Sequence, residues 1–180
     1  MLRDLVAAYP IPLAEITLIG HSMGGLVIRS ACDPARPEAR TWLAQVKRAI
    51  YIGTPHDGAD LERFAHLTTG TLRAVPSLVT RLVGDILNLR SRGTKDLRHG
   101  QPLTEGGPLP WLASARHHLL MGTLTKDPKH PVGRLFGDAL VRVPAAAAVP
   151  DMIVFPGVHH LALAHDAKVY DCIRQICASE

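Results

Sequence analysis

Aromatic side chains are scarce in this sequence. Three Phe, three Tyr and two Trp make up 4% of 180 residues, so any core must be built from Leu, Val, Ile and Ala. Cysteine is scarce too. Cys32, Cys172 and Cys177 are too few and too unevenly spaced for a disulfide framework or a zinc ribbon, and they read as buried free thiols of a reducing compartment. No apolar run approaches the ~20 residues that a membrane span requires. The opening residues, Met1-Leu2-Arg3-Asp4-Leu5, contain no apolar signal-peptide core, so a cytoplasmic location is expected. Dense basic runs are absent as well. The net charge is +4, but Arg and Lys are scattered without aromatic interleaving, which argues against nucleic acid as a partner. Histidine is plentiful, yet the pairs His117–His118 and His159–His160, with His165 and Asp166, fit no compact zinc spacing, and neither metal nor cofactor is expected.

What is present is an ordinary globular mixture, 47% apolar and 20% charged, long enough for one domain that buries a substantial core. Leu2 to Tyr9 reads as the last turns of a helix stopped by Pro10 and Pro12. Ile16-Thr17-Leu18-Ile19 is a short apolar run without alternation, the pattern of a strand buried on both faces of a parallel sheet. Further strands are expected at Val46 to Gly53, His118 to Thr123 and Asp151 to Phe155. Asp166 to Ala178 carries a helical stripe of Val169, Cys172, Ile173 and Ile176. Val75, Leu78, Val79, Leu82, Val83 and Ile86 form a second stripe inside a long insert, about residues 60–111. Strands alternating with helices predict an α/β domain over 1–180, with a parallel sheet of about four strands and a helical insert acting as a lid.

The most informative motif is Gly20-His21-Ser22-Met23-Gly24, followed by Gly25. It lies between an expected strand and an expected helix, the context in which G-x-S-x-G carries chemistry. The serine sits at the tip of a tight turn, small flanking residues let strand and helix approach, and the helix N-terminus aims its free N–H groups in front of Oγ. The Met23 N–H is the expected oxyanion donor.

ITLIGHSMGGLVIRSA resembles the nucleophile elbow of the α/β-hydrolases, and IYIGTPHDGADLERF resembles the strand and loop that follow it in the lipase and esterase branch. DLRHG, FGDALVRVPAA and GVHHLALAHDAKVYDCI are similar to later segments of bacterial hydrolases akin to the GPI inositol-deacylase (PGAP1-like) and triacylglycerol lipase group. The resemblance implies a partial α/β-hydrolase fold and a Ser–Asp–His triad in that chain order. The base belongs after the last strand and before the final helix, at His159 or His160. The family segment G-x-x-H matches Gly157-Val158-His159-His160 and favours His160. The acid belongs after the third strand, at Asp127 or Asp138, with Asp57 a weaker choice. Gly137-Asp138-Ala139-Leu140-Val141 resembles the family's G-D-G-L-V, with Ala139 in place of Gly, and favours Asp138.

These residues imply acyl transfer. Ser22 attacks an ester carbonyl, His160 takes its proton, Asp138 orients the imidazole, and water cleaves the acyl-enzyme. The apolar stripe of Leu72 to Leu89, rimmed by Arg73, Arg81 and Arg90, suits an acyl chain or a lipid surface. The family also places several strands before the elbow, one of them followed by a loop that supplies a second oxyanion donor. Here the serine is residue 22, so the chain reads as the C-terminal part of a longer hydrolase. The elbow strand is then expected to expose an apolar edge that invites self-association or another chain. The competing expectation is an inactive hydrolase fragment that persists by such association.

Overall fold

The structure, a computed structural model, describes residues 2–33, 41–56, 111–126 and 151–179. The chain divides into two compact units, residues 1–54 with 110–180, and residues 55–109. The described secondary structure belongs to the first. Apart from Trp111, the insert expected at 60–111 lies outside the described residues.

The first unit runs α1 (Leu2–Ala8), β1 (Ile16–His21), α2 (Met23–Ala31), β2 (Val46–Ile52), β3 (Arg116–Thr123), β4 (Met152–Pro156) and α3 (Ala167–Ala178). The four strands form one parallel sheet in the order β1-β2-β3-β4. Ile19 pairs with Ile50, Tyr51 with Leu119, and Leu120 with Ile153. Parallel pairing needs a crossover between strands, and α2 supplies it between β1 and β2.

Burial follows position in the sheet. β2 and β3 are flanked on both sides, and Val46, Ala49, Ile50, Leu119, Leu120 and Met121 are fully buried. β1 corrects the reading from its apolar run. It is the outer strand of the described sheet, and Ile19 is 50% exposed rather than buried on both faces. The cysteine reading needs correction as well. Cys32 is buried, and burial pushes its thiol up to about 11, but Cys177 is exposed.

Successive side chains of β2 point to opposite faces. Ile50 and Ile52 join Leu120, Phe155, Val158, Leu163, Val169 and Ile176 in the main core, with Cys172 and Ile173 packed against it. The α3 stripe is therefore seated on this face. Asp166 caps α3, accepting from the Lys168 N–H at 2.8 Å and the Val169 N–H at 3.4 Å, which stabilises the helix by about 1 kcal/mol.

The opposite face of β2 carries Tyr51, which is packed edge-on to Trp111 and parallel to His117. Arg29 of α2 lies over the Trp111 ring, 4.1 Å from its centroid. His117 Nε2 is 3.0 Å from the Leu112 carbonyl, which can only accept, so the proton is on Nε2. Nδ1 of the neutral ring then accepts from the Tyr51 hydroxyl at 3.1 Å. At the base of the sheet the buried Arg48 bridges Glu15, 2.7 Å away, and the Ser179 carbonyl. That bridge ties both ends of the described unit to β2. Among the described residues no helix is long and apolar enough to cross a membrane.

Burial holds the His117 pKa below its ordinary 6.5. Arg29 and His118 push it the same way, and the Leu112 carbonyl opposes them. His118 is also lowered by burial, which outweighs Asp151. Both residues therefore bind protons less readily in the folded chain than in the unfolded one. Their contribution to stability is complete above 6.5 and is lost as pH falls through the lowered folded values. Urea midpoints are expected to fall between about pH 7.5 and about pH 5.5, and to fall less in His117→Gln. Equal slopes in the two proteins would contradict this assignment.

Candidate active site

β1 ends and α2 begins across a single residue, Ser22, with φ 56° and ψ −124°. Among the described residues it is the one non-glycine with positive φ. Such a backbone costs roughly 1–3 kcal/mol and persists only where its surroundings over-determine it. The surroundings here are specific. The Ser22 N–H donates to the Ile52 carbonyl of β2 at 2.8 Å, and the Gly25 N–H donates to the Ser22 carbonyl at 3.2 Å. Strand and helix meet so closely that a Cβ on Gly20 would lie 2.6 Å from the Gly24 carbonyl carbon and 2.7 Å from the Gly25 nitrogen. A Cβ on Gly25 would run into the fully buried Thr54, meeting Oγ1 and lying 2.7 Å from Cγ2. A Cβ on Gly24 would meet nothing within 4 Å. Small residues are thus required on both sides of the turn, but on the helix side the requirement falls on Gly25 rather than on the motif's own Gly24.

Serine at a helix N-cap usually accepts from the first turn. Ser22 makes no such capping bond. Its Oγ lies 3.0 Å from Nε2 of His160, which is 3% exposed. His160 sits in the loop between β4 and the 3-10 turn Ala162–Ala164. Gly157, with φ 77°, opens the loop, and its N–H donates to the Thr125 carbonyl at 3.0 Å. His159 is turned outward, and its Nδ1 accepts from the Ala162 N–H at 3.3 Å. Of the two histidines left open by the sequence, then, His160 meets the serine and His159 braces the following turn. Met23 is the first residue of α2, so its N–H is among those that have no partner within the helix, at the positive end of the helix dipole. Asp138, Asp127 and Asp57 lie outside the described residues.

Two further contacts brace the elbow. His21 Nε2 is 3.1 Å from the His160 carbonyl and the two ring centroids are 5.0 Å apart, a contact that sequence reasoning missed. Thr54, in the Gly53-Thr54-Pro55 turn after β2, is the surface against which Gly25 is selected. His21 lies inside the motif and Thr54 lies 29 residues beyond Gly25, and neither contact follows from spacing. Among the described residues no three His, Cys, Asp or Glu side chains converge as metal ligands would. What converges is a hydroxyl, an imidazole nitrogen and a helix N-terminus, the elements of an activated nucleophile.

Residues 3–80 match the family described as the PGAP1-like alpha/beta domain. No curated protein matches the chain. Two solved structures share its fold. An esterase of Pyrococcus furiosus is 15% identical with a TM-score of 0.52, over 96% of this chain and 56% of the esterase. Tomato methylketone synthase I is 13% identical with a TM-score of 0.53, over 98% of this chain and 75% of the synthase. The chain thus spans little more than half the length of the esterase it resembles.

The glycine geometry separates two substitutions one residue apart. Gly25→Ala must displace Thr54 and is expected to destabilise the fold by about 1–3 kcal/mol, the usual range for overpacking. Gly24→Ala enters open space on a helix and is expected to be neutral or to stabilise by up to about 1 kcal/mol. Chemical denaturation of the two variants beside the wild type measures the difference, and a reversed order would contradict the packing.

Proposed function

From its partial α/β-hydrolase fold, we propose that this chain is a serine hydrolase that cleaves carboxylic esters through an acyl-enzyme. The observation that carries this reading is the 3.0 Å contact of Ser22 Oγ with His160 Nε2, made at a strained turn that opens a helix. The hydroxyl donates to Nε2, and as Oγ attacks the ester carbonyl carbon its proton passes to His160. The developing oxyanion lies before the N-terminus of α2, where the Met23 N–H receives it. His160 then gives the proton to the departing alkoxide, the C–O bond breaks and the alcohol leaves. Water repeats the sequence on the acyl-enzyme, releasing the acid and restoring Ser22. Asp138 is assigned to orient His160, on its G-D-x-L-V context in the sequence. The apolar pattern of Leu72 to Leu89 supports a substrate with an apolar acyl group, lipid esters included.

A second reading is favoured by one observation. β1 is the outer strand of the described sheet, and Ile19 on it is half exposed. An edge of this kind pairs readily with another chain, so the protein would act as an inactive hydrolase fragment held in an assembly.

Labelling the purified chain with a fluorophosphonate, mapping the adduct by mass spectrometry and measuring mass by light scattering separates the two. Esterase chemistry predicts an adduct on Ser22 that disappears in Ser22→Ala and falls by at least about 10³-fold in rate in His160→Ala, while His159→Ala stays near wild type. A folded, associated chain with no adduct would favour the second reading.

A further inference from the structure

We propose that His21 is a positioning residue, holding the base His160 in register with the nucleophile through a hydrogen bond to the His160 backbone. The proposal rests on the hydrolase reading of Ser22 and His160.

A carbonyl oxygen can only accept, so the 3.1 Å contact between His21 Nε2 and the His160 carbonyl places a proton on His21 Nε2. Residue 160 is therefore held at two points by adjacent residues of the elbow. Its side chain meets Ser22 Oγ at 3.0 Å and its main chain meets His21 at 3.1 Å. The base reaches the elbow from a loop and not from a strand, so placing its main chain is a separate requirement from orienting its ring. The bond from His21 to the main chain of the same residue meets the first requirement.

Among the described residues, three further backbone bonds act on the flanks of the loop. The Gly157 N–H is bound to the Thr125 carbonyl, the Val158 N–H to the Phe155 carbonyl, and the Leu163 N–H to the His159 carbonyl. They shape the loop but do not tie it to the elbow strand. His21 makes that link. It ends β1, with its backbone held in register opposite Ile52, and Ser22 of the next residue is bonded to that same Ile52 carbonyl. The anchor and the nucleophile are therefore fixed to β2 together, and the His21 bond transfers that placement to His160. Proton transfer demands a heavy-atom separation near 3 Å, and a misplacement of about 1 Å can cost a hundredfold in rate.

A pair of substitutions of similar bulk isolates the hydrogen bond. His21→Gln carries an N–H at about the reach of Nε2, and His21→Leu carries none. The readout is fluorophosphonate labelling of Ser22 at increasing probe concentration, which separates the maximal labelling rate from the half-saturating concentration. Thermal midpoints are measured alongside. His21→Leu is expected to lower the maximal rate by roughly 10- to 100-fold with little change in half-saturation, and His21→Gln to recover most of it. Wild-type labelling rates in His21→Leu would overturn the proposal, as would a His21→Gln as slow as His21→Leu with an unchanged thermal midpoint. A wild-type chain that does not label at Ser22 would overturn the hydrolase reading itself, and the proposal with it.

Discussion

The turn at Ser22 is the constraint on which the rest of the structure depends. A strand of the parallel sheet must reverse into a helix across one residue, and that residue must accept a positive φ although it carries a side chain. Three contacts hold it there. Ile52 binds the Ser22 N–H from the neighbouring strand, Gly20 lets the helix backbone come within van der Waals distance, and Gly25 closes against Thr54. The strain at Ser22 costs little beside the burial of β2, which carries Ile52 and leads into Thr54. The hydroxyl makes no capping bond to the helix N-terminus it adjoins, and instead meets a histidine from the loop after β4.

The two faces of the sheet divide the work. One face buries Ile50, Ile52, Leu120 and Phe155 under α3 and supplies the apolar core. The His160 loop leads directly into this core, since Val158 and Leu163 on either side of it are members. His160 is thus held by packing on both flanks and bonded to His21 at its main chain. The other face holds the Tyr51, Trp111, His117 and Arg29 cluster, where burial favours the neutral form of His117. Stability on that face is linked to pH through burial of a titratable ring.

Much of this architecture was legible in the chain itself. Short apolar runs located the four strands of the described sheet, and the 3.6-residue spacing of Val169, Cys172, Ile173 and Ile176 identified the final described helix. The elbow could be read from five residues because each obeys a local rule about turn geometry. The sequence misled where neighbours in space decide. An apolar run without alternation suggested that β1 is covered on both faces, but coverage depends on which strand lies beside it. Cysteine counts likewise suggested buried thiols, and Cys177 is exposed because its position on α3 lies off the apolar stripe.

The sequence by itself therefore determined the class of fold, the position of the elbow serine and the order of the elements, since these follow from periodicity and from the few residues that tolerate a tight turn. Tertiary structure alone decided which of two adjacent histidines meets Ser22. His159 and His160 are equivalent in composition and nearly so in position, and only the path of the loop turns one inward and the other to solvent. It also decided that Gly25, and not Gly24, is the glycine the helix cannot replace, because the obstacle is a threonine 29 residues away in sequence. Contacts of that range are set by how strands pack, and no local pattern encodes them.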